Sequence, residues 1–208
     1  MAVILHHLER SRSERIIWLL EELDAPYQLV RYQRDPNTRL APPSLADVHP
    51  MGKAPLLDDG GTVIAETGAI AQHLLERFDE ANALHPAPGE PGRAMFLEWM
   101  HAAEGAVFLP FLMSTYLNAT GLTDSLLDQY MAGEREKALG VIEARLREAP
   151  WFAGEAFTAA DCMMGFQLEN AEAAGRIGKG SPVHDWLKRI RERPAYQAMR
   201  KLEPAPGG

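Results

Sequence analysis

The stretch GKAPLLDDGGTVIAETGAIAQHLLERF, residues 52–78, decides the fold. Its first half predicts a β-hairpin, with a strand beginning at Pro55, a turn at residues 58–61 and a partner strand over residues 62–65. Its second half, from Glu66 to Phe78, predicts a helix. The order ββα therefore ends the first predicted domain.

The residues before this stretch predict the order βαβα. Ala2 to Leu8 is short and rich in β-forming residues, and ERIIWLLEEL, residues 14–23, has apolar residues at helical spacing. Tyr27 to Tyr32 alternates as a second strand, and a short helix is expected near Ser44 to Val48. Residues 1–80 are thus predicted to form an α/β domain with the order βαβαββα.

The remainder of the chain predicts helices alone. Prolines and glycines in residues 81–92 cannot continue a helix, and they mark this segment as a linker. Residues 93–208 have no strand signals and are expected to form an all-α helical bundle. The predicted helices cover residues 93–117, 124–147, 159–174, 183–191 and 195–202.

Composition and charge exclude several classes of function. The 208 residues carry a formal charge of -8, so phosphate backbones would repel the chain, and no nucleic-acid partner is expected. Cys162 is the single cysteine, which excludes a disulfide framework and a CxxC redox pair. No apolar run reaches membrane-spanning length and no signal peptide opens the chain, so we expect a soluble cytoplasmic protein.

The surroundings of Cys162 predict a structural cysteine. Thr158 is expected to cap a helix, with Asp161 at the third helical position and Phe157 packed against Cys162. No metal site and no organic prosthetic group are expected.

Gly52-Lys53-Ala54-Pro55 is the first motif with chemical meaning. A proline that enters a sheet must lie at a strand start or on an edge. A cis Ala54-Pro55 bond would turn the backbone of Ala54 outward, ready to pair with a peptide ligand. A trans proline in a plain turn is the alternative.

Glu66 and Thr67 stand where the last helix of the first domain begins. The helix N-terminus and the Thr67 hydroxyl would bind an α-carboxylate, and Glu66 would accept from a neighbouring α-ammonium group. The pair would then recognise an amino-acid zwitterion, although an ordinary acidic helix start has the same residues. We expect both to cap the helix with their polar groups facing one cleft.

A hydroxyl group is also expected between the first strand and the first helix. Ser13 is predicted to cap this helix, which would leave Ser11 free to face a ligand. The neighbouring arginines would lie on a solvated face or attract an anion.

Four ordered motifs resemble the cytosolic glutathione transferase family over nearly the whole chain. They are SRSER before IIWLLEEL, HPMGKAPLL, AETGAIAQHLLERF and FTAADCMMGFQLE. The stretch RYQRDPNTRLAPPSL is most similar to the branch shared by yeasts and many bacteria, which has transferase and sometimes peroxidase activity. The resemblance implies a thioredoxin-like first domain and a two-fold homodimer.

The resemblance assigns Ser11 to the glutathione sulfur, which makes this chain a serine-type member. The chain departs from the tyrosine-dependent classes, since His6 lies roughly where their tyrosine does. His6 and His7 are therefore held in reserve for the same role. A thioredoxin-type disulfide reductase is excluded, because that chemistry needs a cysteine where this chain has serine.

The resemblance also assigns the residues that hold the tripeptide. Ala54 with Pro55 would pair with the cysteinyl backbone, and Glu66 with Thr67 would grip the γ-glutamyl end. The further candidates are Lys53 and Arg39 for the glycyl carboxylate, and Glu104 for the ammonium group across a dimer cleft, or else as a solvated or capping carboxylate.

The second substrate is expected against one helix of the second domain. Pro110 would kink this helix and open a groove for a small apolar electrophile or a peroxide. The candidate lining residues are Phe108, Phe111, Met113 and Tyr116. The implied function is that of a glutathione transferase with glutathione as its co-substrate. A non-catalytic binding or scaffold protein of the same fold is the competing class.

Overall fold

A computed structural model of the chain describes residues 2–205. The chain divides into two compact units. The first unit holds residues 2–85 together with residues 190–205, and the second holds residues 86–189. Within the described range, no helix combines the length and hydrophobicity that crossing a membrane requires.

The first unit is built on a four-stranded mixed sheet with the order β2-β1-β3-β4. Its strands are β1 (Val3–Leu8), β2 (Tyr27–Tyr32), β3 (Leu56–Asp59) and β4 (Thr62–Ile64). β1 is parallel to β2, and the other two pairs are antiparallel. The helices are α1 (Glu14–Glu22), α2 (Ser44–Val48) and α3 (Thr67–Phe78). The predicted order βαβαββα and the thioredoxin-like fold are confirmed.

The hairpin turn is tighter than the predicted turn over residues 58–61. Gly60 and Gly61 alone separate β3 from β4, and both have positive φ, 62° and 93°. The side chain of Asp58 accepts a hydrogen bond from the backbone N-H of Gly61 at 2.8 Å. Such φ values favour glycine, so the two adjacent glycines determine where the chain reverses.

Apolar side chains cover the sheet and link it to the helices. Leu45 of α2 packs in a buried cluster with Leu8, Ala54 and Leu56, and Tyr32 lies against the same cluster. The helices α1 and α3 bury apolar residues, namely Ile16, Ile17, Leu19, Leu20, Ile70, Ala71 and Leu74. The carboxyl end of β1 is thereby held beside the start of β3.

The C-terminal helix α9 (Pro194–Leu202) belongs to the first unit, which differs from the expectation that residues 93–208 form one bundle. Tyr196 packs edge-on against Trp18 of α1, with ring centroids 5.2 Å apart. Arg193 donates two hydrogen bonds to Glu22, at 2.6 and 2.7 Å. These apolar and ionic contacts place α9 on α1, and helical periodicity alone does not identify such a partner.

The second unit is entirely helical. It contains α4 (Arg93–Ala102), α5 (Phe108–Thr120), α6 (Leu126–Glu148), α7 (Ala159–Ala173) and most of α8 (Pro182–Arg191). Trp99, Phe152 and Trp186 form an aromatic core, with successive ring centroids 4.7 and 5.2 Å apart. The predicted all-helical character of this part is confirmed.

The predicted helix over residues 93–117 is two helices separated by a turn at residues 103–107. Gly105 lies within this turn, where its low helix propensity favours the interruption. Pro110 therefore lies in the first turn of α5, where its missing N-H would have had no helical acceptor. The expectation that Pro110 kinks a long helix is wrong.

The capping box predicted before α7 is present. The side chain of Asp161 accepts from the backbone N-H groups of Thr158 and Phe152, at 3.0 and 3.1 Å, and from the indole N-H of Trp186 at 3.0 Å. Cys162 follows Asp161 and is buried. Burial raises the pKa of Asp161 to about 6, and the hydrogen bonds oppose that shift.

Candidate functional site

A cavity of about 170 Å³ lies in the first unit at the junction of β3, β4 and α3. It is lined by Arg12, Met51, Lys53, Ala54, Pro55, Ala65, Glu66 and Thr67. Five of the predicted site residues are therefore brought together, namely Lys53, Ala54, Pro55, Glu66 and Thr67. Arg12, Met51 and Ala65 complete the lining.

Ala54 and Pro55 form the wall of the cavity next to the sheet. Their peptide bond is cis. Pro55 immediately precedes β3, where the absence of a backbone N-H costs the sheet nothing. Ala54 is buried, and its side chain belongs to the cluster with Leu8 and Leu45. The apolar contacts of Ala54 thus fix the position of the backbone that borders the cavity.

The N-terminus of α3 forms the opposite wall. Glu66 occupies the N-cap position with φ of 71°, and the first helical bond runs from the N-H of Ile70 to its carbonyl at 2.9 Å. The side chain of Glu66 makes no capping hydrogen bond, which differs from the expected cap. Thr67 is 2% exposed and lines the cavity. The positive end of the helix is therefore uncapped beside the cavity.

The charges at the cavity differ from those of the whole chain. Arg12 and Lys53 are cationic and Glu66 is anionic, so the lining carries two positive charges and one negative charge. The chain as a whole has a formal charge of -8. This local excess of positive charge, together with the helix N-terminus, favours a small ligand with carboxylate groups.

Ser11 lies in the turn that connects β1 to α1 and precedes Arg12 of the cavity wall. It is 7% exposed and is not among the residues that line the cavity. Its Oγ atom lies 2.6 Å from Oγ of Ser13. The expectation that Ser13 leaves the Ser11 hydroxyl free is therefore wrong, because the two hydroxyl groups are hydrogen-bonded to each other.

Ser13 does not cap α1 with its side chain. The backbone N-H groups of Glu14 and Arg15 donate to the carbonyls of Ser11 and Arg12, at 3.1 and 3.2 Å, and Ser13 itself has helical torsion angles. Because the first turn is satisfied by backbone carbonyls, the Ser13 hydroxyl is available elsewhere. It lies 2.7 Å from Nδ1 of His7 and 3.3 Å from the carbonyl oxygen of Leu8.

His7 is held between Ser13 and the C-terminal segment. Its Nε2 atom lies 3.0 Å from Oε2 of Glu203, which follows α9. The other carboxylate oxygen of Glu203 accepts from the backbone N-H of Arg10 at 2.8 Å. Glu203 was not predicted from the sequence, where the available signal was a histidine at a strand end followed by two serines.

His6 has a separate environment. Its Nδ1 atom lies 2.9 Å from the hydroxyl oxygen of Tyr32 at the end of β2. Burial lowers the pKa of His6, and the charge of Asp58 opposes that shift. Of the two reserve histidines, only His7 is hydrogen-bonded to the serine turn.

Arg39 and Glu104 do not line the cavity. Arg39 is exposed in the loop after β2, with φ of 61°, and its carbonyl accepts from the guanidinium of Arg34 at 2.9 Å. Glu104 lies in the second unit, in the turn between α4 and α5 rather than inside a helix as expected. Its backbone N-H donates to the carbonyl of His101 at 3.1 Å.

The four electrophile-site candidates all lie on α5. Phe108 and Phe111 are 9% and 7% exposed, and the ring of Phe108 lies 6.4 Å from that of Phe166. Met113 is half-buried, and Tyr116 is 55% exposed. The two phenylalanines thus pack within the second unit, and Tyr116 is the candidate with the most accessible surface.

The fold and the cavity together define a thioredoxin-like protein with two cationic side chains and a helix N-terminus at one cavity. In the described part of the chain, no cluster of three or more His, Cys, Asp or Glu side chains could hold a metal ion.

Comparisons with known proteins identify the family. The pattern of the glutathione S-transferase N-terminal domain matches residues 2–76, and that of the C-terminal domain matches residues 124–189. Glutathione S-transferase 3 of Schizosaccharomyces pombe is 31% identical over 218 residues, which cover 97% of this chain and 88% of the relative. The chain belongs to the glutathione S-transferase family.

Solved structures agree with this assignment. A glutathione S-transferase from Actinobacillus pleuropneumoniae superposes with a TM-score of 0.87 at 32% identity, covering 98% of this chain and 93% of that one. A glutathione transferase from Phanerochaete chrysosporium, solved with oxidized glutathione, has a TM-score of 0.81 at 21% identity. The superposition covers 96% of this chain and 95% of that one. The similarity to fission-yeast and bacterial proteins agrees with the predicted branch.

Proposed function

We propose that this chain is a glutathione transferase that binds glutathione in the cavity of the first unit and stabilises its thiolate. The observation that carries the proposal is the meeting of Ala54, Pro55, Lys53 and the start of α3 in one cavity. Glutathione has two carboxylates and one ammonium group, which complement the two cations and one anion of the lining. The solved complex of a relative with oxidized glutathione supports the same ligand.

The γ-glutamyl end of glutathione would bind at the N-terminus of α3. Its α-carboxylate would accept from the Thr67 hydroxyl and from backbone N-H groups of the first helical turn. Its ammonium group would donate to the carboxylate of Glu66. The backbone of Ala54 would pair with the cysteinyl residue, and Lys53 would face the glycyl carboxylate. Arg12 adds a second cation to the same wall.

Ser11 would stabilise the thiolate. A free thiol of this kind has a pKa of about 8.5, so only a few per cent is ionised at neutral pH. A hydrogen bond to a charged group contributes about 1.5 to 3 kcal/mol, which corresponds to roughly one to two pKa units. That shift is large enough to make the thiolate abundant at pH 7. Glutathione is then the nucleophile, and Ser11 is a donor to its sulfur.

The second substrate would be a small apolar electrophile or a peroxide bound against α5. Tyr116, with 55% of its surface exposed, and half-buried Met113 are the residues that such a ligand reaches most easily. Phe108 and Phe111 would form the floor beneath them. A cytoplasmic homodimer, with Glu104 and Arg39 as outer contacts to glutathione, completes the proposal.

Calorimetric titration with glutathione, followed by thiolate absorbance and a panel of electrophiles and peroxides, tests this function. We expect binding, a thiolate band at neutral pH and turnover of at least one electrophile. Binding without a thiolate band or turnover would instead support a scaffold protein of the same family. Absence of binding would show that the cavity is not a glutathione site.

A further inference from the structure

Four buried side chains of the first unit form one continuous chain of hydrogen bonds, the hydroxyl relay. Oγ of Ser11 lies 2.6 Å from Oγ of Ser13, which lies 2.7 Å from Nδ1 of His7. Nε2 of His7 lies 3.0 Å from Oε2 of Glu203. The four residues are 7%, 0%, 1% and 5% exposed. The relay therefore connects the turn beside the cavity to a carboxylate without passing through solvent.

The carboxylate determines where the protons of the relay lie. Ionised Glu203 can only accept hydrogen bonds, so Nε2 of His7 carries the proton that it receives. A neutral imidazole then has an unprotonated Nδ1, to which the Ser13 hydroxyl donates at 2.7 Å in preference to the carbonyl of Leu8 at 3.3 Å. The oxygen of Ser13 is left to accept from the Ser11 hydroxyl. In this arrangement Ser11 has no hydrogen left to donate to a ligand.

The charged groups around His7 come from three segments. Glu203, which follows α9, contacts the imidazole of His7 directly. Arg31 of β2 lies 3.7 Å from the Glu203 carboxylate. Glu9, which follows β1, is the third charged group near His7. Burial lowers the pKa of His7, Glu203 and Glu9 oppose that shift, and Arg31 adds to it. The lowered pKa of His7 favours the neutral imidazole before a ligand arrives, and the imidazole faces a carboxylate that stabilises its cation.

We propose that the hydroxyl relay carries the thiol proton of glutathione to His7, an inference that rests on the proposed placement of the sulfur against Ser11. The S-H bond breaks and its proton passes to Oγ of Ser11, whose own proton passes to Oγ of Ser13. The proton of Ser13 passes to Nδ1 of His7. The products are a thiolate, two neutral serines and an imidazolium that faces Glu203.

This proton transfer reverses the direction in which both serine hydroxyl groups donate their hydrogen bonds. Ser11 begins as an acceptor from the thiol and ends as a donor to the thiolate. After the transfer its hydroxyl hydrogen points to the sulfur instead of to Ser13. The number of protons in the complex does not change, because the proton that leaves sulfur stays on His7. A serine that merely donates to a thiolate would instead release that proton to solvent.

Proton release on binding separates the two mechanisms. Glutathione is titrated calorimetrically at pH 7 in two buffers of different ionisation enthalpy, and the thiolate is measured by ultraviolet absorbance in the same samples. For the unsubstituted protein we expect a thiolate band with almost no proton release. For His7→Asn, which keeps an acceptor for Ser13 but cannot take up a proton, we expect a weaker band and about one proton released per thiolate.

A second variant tests the relay if His7→Asn does not fold, and a third variant serves as the control. Ser13→Ala interrupts the relay with His7 and Glu203 intact, and it should also release about one proton per thiolate. His6→Asn is the matched histidine control and should retain the unsubstituted proton count, since His6 bonds Tyr32 instead.

Two results would overturn the relay. A thiolate accompanied by one released proton in the unsubstituted protein would remove His7 as the acceptor while leaving the proposed function in place. Glutathione binding without any thiolate band would contradict both the relay and the proposed function.

Discussion

His7 and Glu203 are 196 positions apart in the chain, yet Nε2 of the first lies 3.0 Å from Oε2 of the second. Their side chains are 1% and 6% exposed. A strand end and the segment after the last helix therefore share one buried polar contact. Because the pair contains two titratable groups, its protonation affects the stability of the first unit as well as its chemistry.

We expect the free energy of unfolding to decrease as the pH falls below about 6.5, the ordinary pKa of histidine. Burial lowers the pKa of His7 in the folded chain, so the unfolded chain takes up this proton at a higher pH. His7→Asn should flatten the slope of stability between about pH 7 and pH 5.5, as measured by urea unfolding at each pH. Glu203→Gln removes a charge that raises the pKa of His7 and should steepen the slope. Identical slopes in all three proteins would contradict this assignment.

Ser11→Ala should leave glutathione affinity nearly unchanged while raising the pKa of the bound thiol by about one to two units. The affinity is retained because the carboxylates and the ammonium group bind elsewhere in the cavity. Turnover at neutral pH should fall about tenfold or more and recover partly as the pH rises. A pH titration of thiolate absorbance in the binary complex measures the shift.

Ser44→Ala, at an exposed position at the start of α2, is the matched control for Ser11→Ala and should titrate like the unsubstituted protein. Coincident curves for Ser11→Ala and the unsubstituted protein would reduce Ser11 to a turn residue.

Thr67→Val should weaken glutathione binding by roughly 1 to 3 kcal/mol, because a charged carboxylate loses a hydroxyl partner. The substitution preserves the volume of a side chain that is 2% exposed, so the cavity keeps its shape. Thr62→Val makes the same exchange at an exposed position of β4, outside the cavity lining, and should bind glutathione normally. Calorimetry that finds equal affinity for both variants would exclude Thr67 from the site.

Asp161→Ala should destabilise the second unit by about 3 kcal/mol or more, since it leaves the N-H groups of Phe152, Thr158 and Trp186 without their shared acceptor. Asp161→Asn retains one acceptor oxygen and should lose less. Asp185→Ala removes an exposed partner of Lys188 and should cost under about 1 kcal/mol. Denaturant unfolding compares the three, and a loss for Asp161→Ala no larger than that for Asp185→Ala would rule out the buried acceptor.

Local sequence features predicted the elements well where one residue type dominates the backbone geometry. Gly60 and Gly61 mark the hairpin, and the apolar spacing of α1 gives most of its buried face. The interruption before α5 was missed, because a single glycine in an apolar stretch is weak evidence against a helix.

The cavity was predicted more completely than the groups behind it. Ala54, Pro55, Glu66 and Thr67 belong to short motifs whose chemistry is local, and the structure places all four in one lining. Glu203 belongs to no motif, and its partner lies near the other end of the chain. Contacts over such a separation depend on tertiary packing, which periodicity and capping signals do not encode.

The placement of α9 in the first unit has a consequence for synthesis on the ribosome. Residues 86–189 are translated before the segment that carries Arg193 and Glu203. Domains that are contiguous in sequence can fold as they emerge, with the N-terminal one first. Here the N-terminal unit remains incomplete while residues 86–189 are translated, because His7 and Glu22 still lack these C-terminal partners. The unit translated first is thus the one completed last.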